Sequence, residues 1–347
     1  MKTYAAIRAI ASYLPAEIEQ NEATPVNKKI GISERHVATK DEAASDMAVR
    51  AAENLFETYG IAPADIDFVL LCVQTPDYPF PTTACLVQDR LGIPQTAGAM
   101  DYNLGCSGYP YGLGVARGLI ETGIAKNLLL LTASVYAKYV NKADGIIRPL
   151  FGDGGTATLV SAVEADHPLL DGFVFGTDGS RGDSLIIPAG GSRNMPCDTP
   201  KKSTSDARGN TRTNYDMFMD GNVITGFSMH TVPPLIKAVL AKAGLAADDL
   251  DGAVFHQANH FLLEHLRPRC GLSHVPFYND IEHTGNLVSG SIPYALASID
   301  RAGKLAGHHH VLLAGFGVGL SWGGCVADFG EMMKPISENQ TASAVDA

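Results

Sequence analysis

The sequence predicts an α/β fold in which two duplicated halves stack as layers. Three observations carry this expectation. Residues 51–75 (AAENLFETYGIAPADIDFVLLCVQT) and 235–259 (LIKAVLAKAGLAADDLDGAVFHQAN) superpose so that Gly60 falls on Gly244, Asp65 on Asp249 and Asp67 on Asp251. KNLLLLTASVYA (126–137) and HHHVLLAGFGVG (308–319) are both apolar runs of buried-strand type, each preceded by a helical segment. The chain has 347 residues, 46% apolar and 18% charged, which is enough for a large core. Duplicated helix–strand units with buried sheets favour layers over a barrel.

The elements follow in order. In the N-terminal half (1–165), an amphipathic helix ends at Gly60, where an acidic turn leads into the strand run around FVLLCV. GAMDYNLG is expected to end a strand, and SGYPYGLGVARGLIETG to begin a helix. Strand runs follow at KNLLLL and at TATLVSAV (156–163). Residues 166–222 are rich in Gly, Asp, Ser and Pro and are expected to form a connector, either a cover over a binding cleft or a mobile link. The C-terminal half (223–330) repeats the pattern and closes on GGCVADF (323–329). Residues 331–347 read as a tail, with SENQTASAVDA expected to fray.

Composition narrows the function. A net charge of −11 argues against broad nucleic-acid or anionic-membrane binding, which needs a basic face. MKTYAAIRAIASYLPAEIEQ lacks the pattern of a secretory signal, and no run is expected to reach the length of a bilayer. The six cysteines, at 72, 85, 106, 197, 270 and 325, form no CxxC pair, which suits reduced thiols in a cytoplasm.

Chemistry concentrates in three segments. Cys106, in DYNLGCSGYPYGLGVA, lies at a strand-to-helix junction, where free backbone N–H groups and the helix dipole favour thiolate. A free cysteine is also commonly a small buried hydrophobe; the flanking glycines favour ligand approach. His256 ends an apolar strand in AVFHQANH, where ligands bind in α/β folds, and Asn286 sits in the glycine turn of EHTGNLVSGSIPYAL. Alone, each is commonly structural. Together they supply a nucleophile, an imidazole and an amide donor, a set suited to acyl transfer through a thioester. A nucleophile-elbow hydrolase would need glycine at position 104, which is Leu104. The run His308-His309-His310 enters a strand, where alternate side chains diverge, so it reads as a strand edge rather than a metal site.

From Gly31 to Phe329 these segments resemble β-ketoacyl-acyl-carrier-protein synthase III and its thiolase-fold relatives. The matching pieces run in family order: GISERHVA, FPTTACLVQDRLGI, GCSGYPYGL, FGDGGTA, MDGNVI, HQAN, GNLVSGSIPYAL and GFGVGLSWG. The resemblance implies a five-layered αβαβα fold and a ping-pong acyltransferase. Cys106 would accept the acyl group; His256 and Asn286 would promote decarboxylation of a malonyl thioester and hold the enolate oxygen. The Cys106 amide and Val318, in Gly317-Val318-Gly319, would form the oxyanion hole. Asn222 and Asn259 match positions that contact coenzyme A. Phe80 matches a residue reaching toward the partner's acyl pocket in a homodimer. No permanent cofactor or metal is implied: the coenzyme A thioester is a substrate and acyl carrier protein the partner.

Two departures bear on specificity. The family's nucleotide end uses Trp and Arg, whereas TPVNKKIGISER has no Trp and places Lys29 at the Arg; Arg148 stands closer to FGDG than the family pattern. Lys and Arg differ in fork geometry and stacking, so the donor could be an acyl carrier protein. Tyr109 and Tyr111 are bulky for an acyl tunnel and suggest an unusual primer. A specialised polyketide or surface-polysaccharide acyltransferase with a non-malonyl acceptor is the alternative.

Overall fold

The computed structural model describes residues 1–206 and 209–336. Strand β1 (Lys2–Tyr13), β2 (Phe68–Val73), β3 (Gly98–Tyr102), β4 (Asn127–Ser134) and β5 (Gly154–Ala165) form one sheet, ordered β1-β5-β4-β2-β3. Strand β6 (Leu170–Thr177), β7 (Gly252–Phe255), β8 (Val311–Gly317) and β9 (Ser321–Ala327) form a second, ordered β7-β8-β9-β6. Four strands of the first sheet correspond to the second: β2 and β4 pair in parallel and β4 and β5 antiparallel, as do β7 with β8 and β8 with β9. Strand β3 has no full counterpart, but Phe277 makes a single parallel bridge to Ala253 at the equivalent edge.

Five layers follow from the packing. Helices α1 (Ala44–Tyr59) and α2 (Thr83–Arg90) cover the outer face of the first sheet with Met47, Leu55 and Val87. Helices α4 (Gly221–Ala243) and α5 (His260–Arg269) cover the second sheet with Val232, Val239 and Leu263. Between the sheets lie α3 (Gly108–Glu121) and α6 (Ser291–Arg301), which bury Tyr109, Leu113, Ile292 and Leu296. The expected duplication and layering are both present.

The repeat is chemical as well as topological. Helices α1 and α4 end at Gly60 and Gly244, with φ of 66° and 72°, a left-handed cap that glycine adopts without a Cβ clash. A single 3-10 turn follows each, Pro63–Asp65 and Ala247–Asp249. Asp67 then accepts hydrogen bonds from the Lys126 and Asn127 amides, and Asp251 from those of His309 and His310.

Several expectations are corrected. Residues 170–177, assigned to the connector, are the edge strand β6 of the second sheet. Residues 331–336 are not loose: the Met333 amide donates to the Arg8 carbonyl and the Ile336 amide to Thr58. The expected fraying of 337–347 falls outside the described residues. Helix α4, at 23 residues, is long and apolar enough by length and composition to cross a bilayer, contrary to the sequence reading; here its apolar side chains pack on the second sheet. His308–His310 precede β8 rather than lying in it, and their rings turn to separate partners: the Leu305 carbonyl, Asp328 and the Asp249 carbonyl.

Candidate active site

Strand β3 ends at Tyr102 and α3 begins at Gly108, so Cys106 sits on the bend between them, one residue before the N-cap Ser107. The end of β8 lies against its sulfur. A Cβ placed on Gly317 would come within 2.6 Å of Cys106 Sγ, so only glycine permits this approach. The Val318 and Cys106 backbone amides hydrogen-bond the sulfur and favour thiolate, as the expected oxyanion pair would. Burial works the other way and dominates, pushing the Cys106 thiol up to about 11. The thiolate expected from the helix terminus is therefore not the resting form.

His256 continues β7, its amide donating to the Ala314 carbonyl at 2.8 Å. Its ring is buried edge-on to Phe316, at 5.8 Å and 86°. Burial pushes the imidazole down to about 3, against the favourable Val288 carbonyl. Cys106 and His256 are thus both neutral at rest.

Asn286 is anchored through its backbone. Its amide donates to the Leu150 carbonyl, and its carbonyl accepts from the Gly152 amide. The Val288 amide donates to Asn286 Oδ1 at 2.8 Å, so the side chain has its Nδ2 hydrogens to offer a ligand. Val288 holds φ at 55°, the one positive φ at a non-glycine among the described residues and a costly conformation for a β-branched side chain. That conformation aims its N–H at Asn286, while its carbonyl accepts from Ser291 Oγ at 3.0 Å. Val288 shares an apolar cluster with Cys106 and Val318, and His256 Nδ1 stands 2.8 Å from Ser291 Oγ three residues beyond Val288, so the three predicted segments meet there.

Beside Val318 opens a chamber of about 230 Å³, lined by Gln74, Tyr136, Tyr139, Leu185, Ile187 and Met217 among others. Leu185, Ile187 and Met217 of this lining lie within residues 166–222. Tyr136 donates its hydroxyl to Gln74 Oε1. None of these residues was singled out by sequence, because they come from four separate segments.

Neither Tyr109 nor Tyr111, expected at the acyl pocket, lines this chamber. Two positions apart on a helix point in nearly opposite directions. Tyr109 is buried between the sheets, its hydroxyl 3.2 Å from Thr158 Oγ1. Tyr111 packs on Phe175 of β6 at 4.3 Å. Phe80 lies elsewhere, 85% exposed in the loop before α2.

The four residues expected to meet coenzyme A come from separate stretches of the chain. Asn222 is exposed in the first turn of α4. Asn259 caps α5, its side chain accepting from the Leu262 amide at 2.8 Å. Lys29 Nζ stacks 3.9 Å over the Phe261 ring. Arg148 pairs with Glu19, which also binds the buried Arg35 at 2.5 Å. A cavity of about 620 Å³ runs past Asn27, Lys28, Gly31 and His260, but neither Lys29 nor Arg148 lines it.

Comparison with known proteins agrees with this arrangement. Residues 100–179 match the family described as 3-Oxoacyl-[acyl-carrier-protein (ACP)] synthase III, and residues 240–329 match its C-terminal counterpart. A Beta-ketoacyl-[acyl-carrier-protein] synthase III from Caldanaerobacter subterraneus subsp. tengcongensis is 34% identical over 94% of this chain and 98% of its own length. A crystal structure of 3-oxoacyl-(acyl-carrier-protein) synthase III superposes with a TM-score of 0.90 at 43% identity, covering 94% of this chain and all of that one. The priming β-ketosynthase of the R1128 polyketide pathway superposes at 0.82 with 28% identity, covering 94% and 97%. With its two thiolase-type halves, this chain belongs to the β-ketoacyl-acyl-carrier-protein synthase III family of acyltransferases.

Proposed function

We propose that the chain moves an acyl group from a coenzyme A or acyl-carrier thioester to Cys106. It then condenses that group with malonyl-acyl-carrier protein, releasing CO2 and forming a 3-oxoacyl thioester. The observation that carries the reading is Cys106 Sγ under the end of β8, 2.6 Å from where a Gly317 Cβ would stand, with the Val318 and Cys106 amides favouring its thiolate and Asn286 Oδ1 already occupied. Two backbone donors suit the oxyanion of each thioester attack, and Asn286 Nδ2 suits the enolate oxygen left by decarboxylation. Coenzyme A enters only as substrate, and no permanent cofactor takes part. The chamber of about 230 Å³ is smaller than a drug-sized site and favours a short primer. The protein acts as a cytoplasmic homodimer.

A specialised pathway is the second reading, with a carrier-bound donor or a non-malonyl acceptor. It is favoured by Lys29 and Arg148, whose charges are engaged by Phe261 and Glu19 rather than turned to a nucleotide. One mass-spectrometric experiment separates the readings. A panel of acyl-coenzyme A and acyl-carrier thioesters is offered, and the mass on the Cys106 peptide is measured before and after malonyl-carrier is added. An adduct discharged by malonyl-carrier supports condensation; one discharged only by alcohols or amines supports the alternative. No adduct from any donor overturns both. Asn286→Ala should retain the adduct and lose at least 100-fold in condensation, about the loss of an oxyanion donor.

A further inference from the structure

Ser291, the first residue of α6, lies buried behind His256. Its hydroxyl oxygen has three neighbours within hydrogen-bond reach. The Gln257 amide donates to it at 3.2 Å, it donates to the Val288 carbonyl at 3.0 Å, and His256 Nδ1 stands 2.8 Å away. A hydroxyl has one proton and two acceptor positions. The amide can only donate and the carbonyl can only accept, so the one proton and one lone pair are committed. The remaining contact is satisfied when His256 Nδ1 carries a proton and donates it. If Ser291 donated to Nδ1 instead, the Val288 carbonyl would face an oxygen with no proton between them. The bonds Nδ1–H to Oγ and Oγ–H to the carbonyl also point the same way, which strengthens each. Gln257 cannot drift, because its Nε2 donates to the Phe255 carbonyl at 2.6 Å and its Oε1 accepts from the Asp280 amide at 3.0 Å.

We propose that Ser291 is a positioning residue that fixes His256 as the Nδ1–H tautomer, so that Nε2 presents a lone pair and takes the Cys106 proton. This rests on the acyl-transfer reading above. As Cys106 Sγ attacks the donor thioester, its proton passes to Nε2; the new S–C bond forms and the donor's C–S bond breaks, releasing the donor thiolate. The departing thiolate is a far stronger base than an imidazole pushed down to about 3, so it takes that proton from Nε2 and leaves as the thiol, and His256 returns to its neutral Nδ1–H form. Asn286 Nδ2 is then the side-chain donor for the enolate oxygen. Decarboxylation and carbon–carbon bond formation expel Cys106 as thiolate, which takes a proton from water.

The test begins without substrate. Nitrogen-15 NMR of the resting enzyme, labelled at histidine and assigned against His256→Gln, should show Nδ1 protonated and Nε2 bare. A resting Nε2–H form overturns the proposal. In single-turnover acylation, Ser291→Ala should slow adduct formation at Cys106 by about 100-fold, the low end of general-base contributions. Ser291→Thr, which keeps the hydroxyl, should restore most of the rate. Wild-type rates in a folded Ser291→Ala enzyme would also overturn it. If Ser291→Ala does not fold, the NMR result on the unmodified protein decides. Failure of wild-type Cys106 to accept any acyl group would count against the acyl-transfer reading instead, since the tautomer measurement needs no substrate.

Discussion

Cys106 and His256 are perturbed in opposite directions by one cause, burial of a group that would carry charge. With the Cys106 thiol up to about 11, its thiolate fraction should rise roughly tenfold per pH unit through the neutral range. Iodoacetamide labelling of the Cys106 peptide should therefore climb steadily from pH 7 to 10, with the exposed Cys85 and Cys197 as internal references. A plateau below pH 9 would mean that the Val318 and Cys106 amides outweigh burial. His256 affects stability with a definite sign. Its folded value of about 3 lies below the ordinary 6.5, so between them the unfolded chain binds a proton that the folded chain refuses. Stability is lost as pH falls through that window. Urea denaturation at pH 7 and 5 should show His256→Gln losing less stability on acidification than the wild type; equal losses would contradict it. Asp153, whose burial raises it to about 6, is present in both proteins and cancels. Cys106, His256 and Asn286 were legible as candidates because each sits at an element end that leaves a sequence mark. Ser291 and Val288 were not: they lay inside GNLVSGSIPYAL, but their roles depend on a φ of 55° and on a hydroxyl shared between segments 35 residues apart.

At the scale of elements, the repeat was readable because both halves use the same stop-and-start chemistry: a left-handed glycine, a 3-10 turn and an aspartate. The structure adds what that aspartate does. Asp251 Oδ2 takes two amides at the approach to β8, at 2.7 and 3.0 Å, and the end of β8 brings Gly317 against Cys106. Asp251→Ala leaves both amides without that acceptor and should cost about 1–2 kcal/mol, as the loss of a helix cap does. Asp67→Ala should cost a similar amount in the other sheet, and chemical denaturation would measure both. An unchanged midpoint would show that water replaces the carboxylate freely. Strand β6 escaped the sequence reading for a physical reason. LDGFVFGT contains two glycines and an aspartate, which signal a turn, and Phe175 is half-exposed, as an edge strand permits. The chamber beside Val318 escaped because no single segment builds it.

For the whole molecule, the unmatched strand is the informative one. Strand β3 is an edge of the first sheet, and an edge presents unpaired backbone groups that a second chain can satisfy. Met100 lies exposed on it. Asp101 accepts hydrogen bonds from the Thr83 and Ala84 amides at 2.7 Å, which ties the loop carrying exposed Tyr78 and Phe80 to this same edge. An apolar rim beside an open strand is an expected interface between two copies, related by a twofold axis. Sedimentation should therefore give twice 36.7 kDa, and Met100→Lys, which sets like charges against each other across the axis, should shift the protein toward monomer. Phe80→Ala should remain dimeric but acylate poorly if each Phe80 serves the partner's chamber. Mixing Phe80→Ala with Cys106→Ser chains should then restore part of the activity, because a mixed dimer holds one site with an intact cysteine and an intact phenylalanine. A protein that sediments as a monomer, or mixed chains no more active than their separate components, would refute this interface and the role given to Phe80.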